Sequence, residues 1–196
     1  MLFRFGTAMS LDLTIYGERW SHAQADELVA DGLVATRNVG NARTIGAEGR
    51  LRWSLGHALK IDLSAMVQSA RLESGGGTDI DDPRIPAVPE LALRGDVERA
   101  LSIAGWRGTA RVGLRYTGAT HLSFDPTVDR RARGRLEADA GLALARDGWL
   151  LSLSATNLTN RRSNVFPFGN PFRVRAEPQR TPPRPRTLGL TIGRDF

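Results

Sequence analysis

Polar and apolar residues alternate with a period of two along most of this chain, and the 3.6-residue repeat of an amphipathic helix is nowhere persuasive. The segment Ala42–Trp53 shows the alternation most clearly. Its face of Ile45, Ala47, Leu51 and Trp53 is apolar, and its face of Thr44, Glu48, Arg50 and Arg52 is polar. Because side chains of a β-strand point alternately to its two faces, the pattern predicts an all-β protein.

The same reasoning along the whole sequence predicts nine strands. They are Leu2–Phe5, Ser10–Trp20, Ala42–Trp53, Ala58–Leu72, Leu91–Ile103, Trp106–Leu122, Arg135–Arg146, Trp149–Asn157 and Arg186–Phe196. Residues 21–40 are predicted to be a polar loop, in which the short apolar pieces Leu28–Val29 and Leu33–Val34 can extend the flanking strands.

The connections between these strands alternate between short and long. Short ones lie near residues 6–9, 54–57, 104–105 and 147–148, and long ones near 21–40, 74–89, 123–134 and 158–185. Asp147–Gly148 is a typical two-residue hairpin turn. Short turns at one end and long loops at the other are typical of an antiparallel up-and-down transmembrane β-barrel. A soluble β-sandwich has no reason to keep that asymmetry.

Large aromatic residues lie at one end of the predicted strands. Trp53, Trp106, Trp149 and Phe196 each fall beside a short turn or at the chain end, on the apolar face. Tyr116 lies on that face about ten residues beyond Trp106 and suits the opposite end. These positions predict aromatic belts at the two membrane–water interfaces. Trp20 does not fit, because its parity is wrong unless a bulge intervenes.

The opposite faces of the strands carry charges of both signs. They are Glu48, Arg50, Arg52, Lys60, Asp62, Arg94, Asp96, Glu98, Arg111, Arg115, Arg135, Glu137 and Asp139. So many charges on one face require water or polar protein beside them. In a barrel, this face is a wet or plugged lumen.

Composition narrows the class of protein. The 196 residues have a mean hydropathy of -0.27 with no run near 18 apolar residues, which excludes a helical membrane protein. There is no cysteine, so a disulfide framework, a thiolate metal site and a thiol nucleophile are excluded. The net charge of +6 is mostly arginine, with Lys60 as the one lysine. Because the arginines are spread along the chain, the charge favours general surface over a nucleic-acid site.

Several segments together resemble the carboxy-terminal part of a TonB-dependent outer-membrane receptor. The resemblance rests on NLTN at Asn157–Asn160, FPFGNPF at Phe166–Phe172, TPPRPRTLGLTIGRDF at residues 181–196, NVGNARTIGAEGRLRW at Asn38–Trp53 and IPAVPELALRG at Ile85–Gly95. Their order and spacing carry it, and it spans essentially the whole chain. One departure is Arg194, at an outward position that is usually apolar or aromatic in that family.

The resemblance implies a twenty-two-stranded barrel with an amino-terminal plug in the outer membrane of a Gram-negative bacterium. Such receptors import ferric siderophores or similar scarce nutrients with energy from the inner-membrane TonB complex. We expect residues 1–196 to be the carboxy-terminal part of that barrel, an incomplete curved sheet of about nine strands without plug, TonB box or signal peptide. The implied partners are outer-membrane lipid, the plug and remaining strands, the TonB complex through the plug, and the barrel-assembly machinery through Phe196.

The sequence does not predict an enzyme, a cofactor or a metal site. His22, His57 and His121 are scattered without the spacing of a metal site or a catalytic triad. The aspartates of residues 78–82 could attract Ca²⁺, but their spacing does not match an EF-hand and a solvated loop is favoured.

Arginines in the predicted outer loops are the candidate ligand-binding residues. They are Arg130, Arg131, Arg133, Arg161, Arg162, Arg173 and Arg175. Guanidinium groups can hold an anionic ferric chelate or lipid phosphates, and a general solvated surface is the competing interpretation.

Two other functions remain open from the sequence. Residues 9–196 can form an autonomous eight-stranded outer-membrane barrel with a structural or adhesive role. The chain can also be a soluble basic β-protein that binds nucleic acid, although we expect no nucleic-acid partner.

Overall fold

A computed structural model of the chain describes residues 1–5, 8–30, 32–75, 80, 82–125, 128, 131–166, 169–174, 176–177, 179 and 181–195. These residues form one sheet of nine antiparallel strands, which pair in the order of the sequence. The strands are β1 (Leu2–Phe5), β2 (Met9–Ala30), β3 (Leu33–Leu55), β4 (Leu59–Gly75), β5 (Leu91–Ile103), β6 (Trp106–Thr117), β7 (Arg135–Arg146), β8 (Trp149–Thr156) and β9 (Thr187–Arg194).

Two of the connections at one end of the sheet are two-residue turns. Ala104–Gly105 has φ angles of 51° and 82°, and Asp147–Gly148 has 48° and 77°. Positive φ at both central residues is the mark of a type I′ turn, whose twist matches that of the flanking strands. The short connections predicted at these two places are confirmed.

The strand register places apolar and charged residues on opposite faces, as the alternation predicts. Leu11 pairs with Leu51, and Leu51 pairs with Leu63. One step along β2, Asp12 pairs with Arg50. The charged face surrounds a cavity of about 1010 Å³ and is therefore the concave one. The apolar face points outward, where Ile15 is 85% exposed. The predicted fold class, an open curved antiparallel sheet, is confirmed.

The sheet does not close on itself within the described residues. The outer edges of β1 and β9 pair with no other described strand. The edge of β2 is occupied by β1, in which Leu2 lies opposite Asp12 and Phe5 lies opposite Met9. The autonomous eight-stranded barrel, which would need β2 and β9 to pair, is not formed.

The loop predicted at residues 21–40 is wrong, because this stretch is a hairpin. β2 runs for 22 residues and β3 for 23, about twice the length that a strand needs to cross a bilayer. The extension of the flanking strands by Leu28–Val29 and Leu33–Val34 is confirmed, since Leu28 lies opposite Val34. The ladder bonds are made by the backbone, so polar residues on both faces do not prevent pairing.

Two further details of the strands differ from the prediction. β6 ends at Thr117 and not at Leu122, because the chain leaves the sheet and Thr120 forms an isolated bridge with Ala132. The ladder shifts register after Trp20, where His22 has a φ of 58°. This bulge follows Trp20 and leaves it on the charged face opposite Ala42.

The most deeply buried apolar residues lie at the long-loop end of the sheet. Leu28, Val128 and Val174 form a cluster, with exposures of 3%, 0% and 1%. The N–H of Gly32 donates to the carbonyl of Pro171 at 3.2 Å. The hairpin tip is therefore fastened to two other loops.

No helix in the described part of the chain is long and apolar enough to cross a membrane.

Candidate functional site

The concave face of β2 to β6 is a wall of ion pairs, and we call it the inner wall. It consists of Asp12, Arg50, Arg52, Lys60, Asp62, Arg94, Asp96, Glu98 and Arg111. The Nε of Arg50 donates to both carboxylate oxygens of Asp62 at 3.0 and 3.1 Å. Arg52 reaches across to Asp12 at 2.7 Å. The bonds run between neighbouring strands and tie the ladder together on its polar side.

Asp96 is the most enclosed carboxylate of this wall. It accepts hydrogen bonds from Arg94, two residues away on β5, and from Arg111 on β6 at 2.7 Å. Its side chain is 17% exposed, whereas those of Arg94 and Arg111 are 45% and 55% exposed. The arginines therefore keep donors that point into the cavity, where a polar partner can meet them.

A tyrosine and a glutamine close the wall toward the long-loop end. Tyr16 lies over Gly46, where an added Cβ would stand 2.5 Å from the phenol ring. The Tyr16 hydroxyl donates to Gln68 at 2.9 Å, and the Gln68 amide donates to the carbonyl of Pro89 at 3.1 Å. A side chain at residue 46 would displace the Tyr16 ring and crowd the Cβ of Gln68, which lies 2.9 Å from the position of the added Cβ.

The four predicted belt residues that the structure describes lie on the face and at the strand ends that the sequence predicts. Trp53, Trp106 and Trp149 stand beside the short turns, on the outward face. Tyr116 lies on the same face between Leu93 and Leu136, nearer the long-loop end. Phe196 falls outside the described residues. Their role as a membrane belt stays a prediction.

Arg194 is the outward residue that departs from the family pattern. Its guanidinium lies 5.0 Å from the centre of the Trp149 ring, directly across the β8–β9 ladder. A cation over an aromatic face is attracted to it, so the arginine becomes part of the aromatic end of the sheet.

The candidate loop arginines are partly brought together. The Ser163 hydroxyl donates to the carbonyl of Arg133 at 2.9 Å, so the loop of Arg131 and Arg133 adjoins that of Arg161 and Arg162. All four of these arginines are exposed. The fifth described candidate, Arg173, forms an ion pair with Glu177. Arg130 and Arg175 fall outside the described residues.

Asn157 is a structural residue of this site that sequence reasoning missed. It is 7% exposed, and its backbone N–H donates to Asp139 at 2.9 Å. Its side-chain amide donates to the carbonyls of Arg161 and Arg184 at 3.2 and 3.0 Å. Its φ of 49° is one that asparagine tolerates well. The signal was the asparagine directly after an apolar strand in NLTN.

Asp82 is the one described aspartate of the acidic loop at residues 78–82, and its contacts hold the loop in place. Hydrogen bonds from Arg84, at 2.9 and 3.1 Å, hold the pKa of the Asp82 carboxyl well below its ordinary value. Asp82 also lies 3.3 Å from the Nδ1 of His121, a residue only 2% exposed. Thr78, Asp79 and Asp81 fall outside the described residues. Within the described part, no group of three or more acidic or histidine side chains is placed to hold a metal ion.

No protein-family model matches the sequence, and no curated protein matches it. Solved structures do match. The ferric yersiniabactin uptake receptor FyuA of Yersinia pestis covers the whole chain with a TM-score of 0.80 at 17% identity. The ferric-catecholate import receptor Fiu of E. coli K12 covers 97% with 0.72 at 20% identity. The copper transporter OprC covers the whole chain with 0.72 at 16% identity.

This is the fold of TonB-dependent receptor barrels. The resemblance inferred from the sequence is thereby confirmed at the level of fold. The chain spans 28%, 26% and 30% of the lengths of these three proteins. Each of the three is named for uptake, import or transport and none for catalysis.

Proposed function

We propose that this chain is the carboxy-terminal part of the barrel of an outer-membrane, TonB-dependent receptor. The observation that carries the proposal is the two-faced sheet, charged on its concave side and apolar on its outward side over the part of β2 to β5 that lies next to the short turns. An outward row such as Leu188, Leu190 and Ile192, at 74%, 62% and 62% exposure, suits lipid. The same exposure disfavours a soluble nucleic-acid-binding protein.

The inner wall is the surface on which a plug domain would dock. Its arginines pair with carboxylates on the same or a neighbouring strand, and their side chains stay about half exposed toward the cavity. A polar domain inside the barrel would complete those bonds, because charges on an enclosed wall need polar partners. The unpaired edges of β1 and β9 would join the remaining strands of the barrel.

The cargo class proposed here is a small metal-bearing nutrient. Structural neighbours are named for ferric yersiniabactin, for ferric catecholates and for copper, so the fold serves more than one metal. The exposed arginines of adjoining loops, Arg131, Arg133, Arg161 and Arg162, would attract an anionic chelate such as a ferric siderophore. A general solvated surface is the competing role for them.

Uptake by the whole receptor tests this proposal. Cells that lack their own ferric receptors would express the complete polypeptide, and uptake of radioactive iron would be measured from a panel of anionic ferric chelates. We expect saturable uptake of at least one chelate, abolished when the TonB complex is inactivated. Copper uptake, measured in parallel, would show whether the cargo is copper and not a ferric chelate. Recovery of the protein in the soluble fraction would overturn the proposal.

A further inference from the structure

Three arginines lie side by side on the outward face of the sheet, toward the long-loop end and before the hairpin tip. Arg19 on β2 lies directly opposite Arg43 on β3, which lies directly opposite Arg71 on β4. We call these three residues the arginine row. Their side chains are 73%, 48% and 55% exposed. Neighbouring strands are about 4.8 Å apart, so the row is about 10 Å long.

The protein neutralises this row incompletely. Like charges directly opposite each other destabilise a sheet. Glu73 is shared by Arg19 and Arg43 at 3.6 and 3.9 Å, and Glu90 lies 3.8 Å from Arg71. All three distances exceed a hydrogen bond. Among the described residues, the guanidinium groups of Arg19 and Arg43 make no hydrogen bond, and Arg71 makes one, to Ser69 at 3.2 Å. The row therefore holds donors for a further anion.

The surface beside the row is apolar. Ile15, Ile45 and Val67 stand one to two rows away on the same face, at 85%, 45% and 57% exposure. Beyond them lies an outward depression of about 540 Å³, lined by Leu11, Leu51, Leu63, Leu93, Leu114 and Tyr116. An anion with an apolar chain would therefore meet a matching surface at both of its ends.

The distance from the row to the depression fits one leaflet of a bilayer. Gly49, which lines the depression, is six positions from Arg43 along β3, or about 20 Å. Membrane strands tilt by about 45°, so this is about 14 Å of depth. Half of a hydrocarbon core about 30 Å thick is about 15 Å.

We propose that the arginine row binds the phosphate of an outer-leaflet lipid, whose acyl chain lies along the outward face in the leucine-lined depression. The orientation of the row toward the outer leaflet rests on the proposed function. Guanidinium groups hold phosphate oxygens in a bidentate fork, and several in a row fix a diphosphorylated headgroup better than one.

The test is lipid binding by the complete protein purified from the outer membrane in detergent. Native mass spectrometry would measure binding of diphosphorylated lipid A, of the same lipid without phosphates, and of lipid A competed with inorganic phosphate. We expect the phosphorylated lipid to bind at least tenfold more tightly than the dephosphorylated one. We also expect equimolar inorganic phosphate to leave this binding unchanged. Equal binding of the two lipids, or competition by inorganic phosphate, would overturn the proposal.

Matched variants locate the site. The triple variant R19Q/R43Q/R71Q should lose at least tenfold in affinity for lipid A, whereas R37Q/R146Q/R186Q, with the same change of charge elsewhere, should stay within twofold. If the glutamine variant fails to assemble, R19K/R43K/R71K keeps the charge without the fork and should lose threefold or more. Unchanged affinity in an assembled row variant would overturn the proposal.

Density-gradient fractionation separates this inference from the proposed function. Protein recovered in the outer membrane with unchanged lipid binding in the row variants would overturn the inference alone. Protein recovered elsewhere would overturn the proposed function and this inference with it.

Discussion

At the scale of single residues, the most enclosed carboxylate of the inner wall, Asp96, serves two arginines. Alternation in the sequence predicts correctly that Asp96, Arg94 and Arg111 share a face. It does not predict that Asp96 accepts from both arginines, because a partner on another strand depends on register. The outward arginine row was missed for the same reason, since Arg19, Arg43 and Arg71 meet only once the strands are paired.

Removing the carboxylate of Asp96 should destabilise the sheet more than removing the exposed carboxylate of Glu98. Asp96→Ala leaves two guanidinium groups without their shared acceptor, and we expect a loss of about 1–2 kcal/mol in the free energy of unfolding. Glu98→Ala is the control, because Glu98 is 46% exposed and 3.9 Å from Lys60. That variant should lose less than about 0.5 kcal/mol. Thermal unfolding in detergent measures both, and equal losses would contradict the role of Asp96.

The loop that contains Asp82 should lose stability in acid and should not gain it at any pH below 7. Because Arg84 lowers the folded-state pKa of Asp82 below the ordinary 3.8, the bond stabilises the loop fully above that value. The contribution is lost as the pH falls through the lower folded-state pKa. Hydrogen exchange of the Ile85 amide, which donates to Ala70 at 2.9 Å, reports on the loop.

We expect protection of that amide to be constant from pH 7 to pH 4, after correction for intrinsic exchange, and to fall below. Asp82→Asn should lower the protection at neutral pH and remove its acid dependence. A loss of protection that begins near neutral pH would assign control of the loop to another group.

At the scale of elements, the long hairpin of β2 and β3 departs furthest from the sequence prediction. Residues 21–40 show no single apolar face, so their pattern is that of a loop. Their pairing is stabilised by backbone bonds and by Leu28, which packs with residues far away in the sequence, Val128 and Val174. Short strands with one apolar face, such as β5 and β7, were predicted to the residue.

The side chain of Leu28 should stabilise the packing of the hairpin tip, whereas that of its neighbour Val29 should not. Leu28→Ala removes a side chain that is 3% exposed and should destabilise the packing of the tip by about 2–4 kcal/mol. Val29→Ala, at a position 41% exposed, is the matched control. Limited trypsin digestion at Arg37 should be at least tenfold faster in the first variant and unchanged in the second. Equal cleavage rates would show that the tip is not held by this cluster.

At the scale of the whole molecule, the strand order, the two faces and the curved open sheet follow from periodicity and connection lengths. The open edges of β1 and β9, the charged concavity and the apolar outside together describe a segment of a barrel wall. Within the described residues, no strand faces the inner wall across the cavity. A plug domain would supply polar partners for the ion pairs at that place. The central claim is that the sheet crosses the outer membrane. Its short turns then lie on the periplasmic side and its long loops on the cell surface.

Labelling of single cysteines tests that claim most directly, because the chain contains no native cysteine. His57→Cys lies in a short turn and Arg162→Cys in a long loop, and both positions are exposed. A membrane-impermeant maleimide would be added to intact cells and to cells with a permeabilised outer membrane. We expect Arg162→Cys to react in intact cells and His57→Cys only after permeabilisation. Equal labelling of both in intact cells, or the reverse order, would contradict the claim.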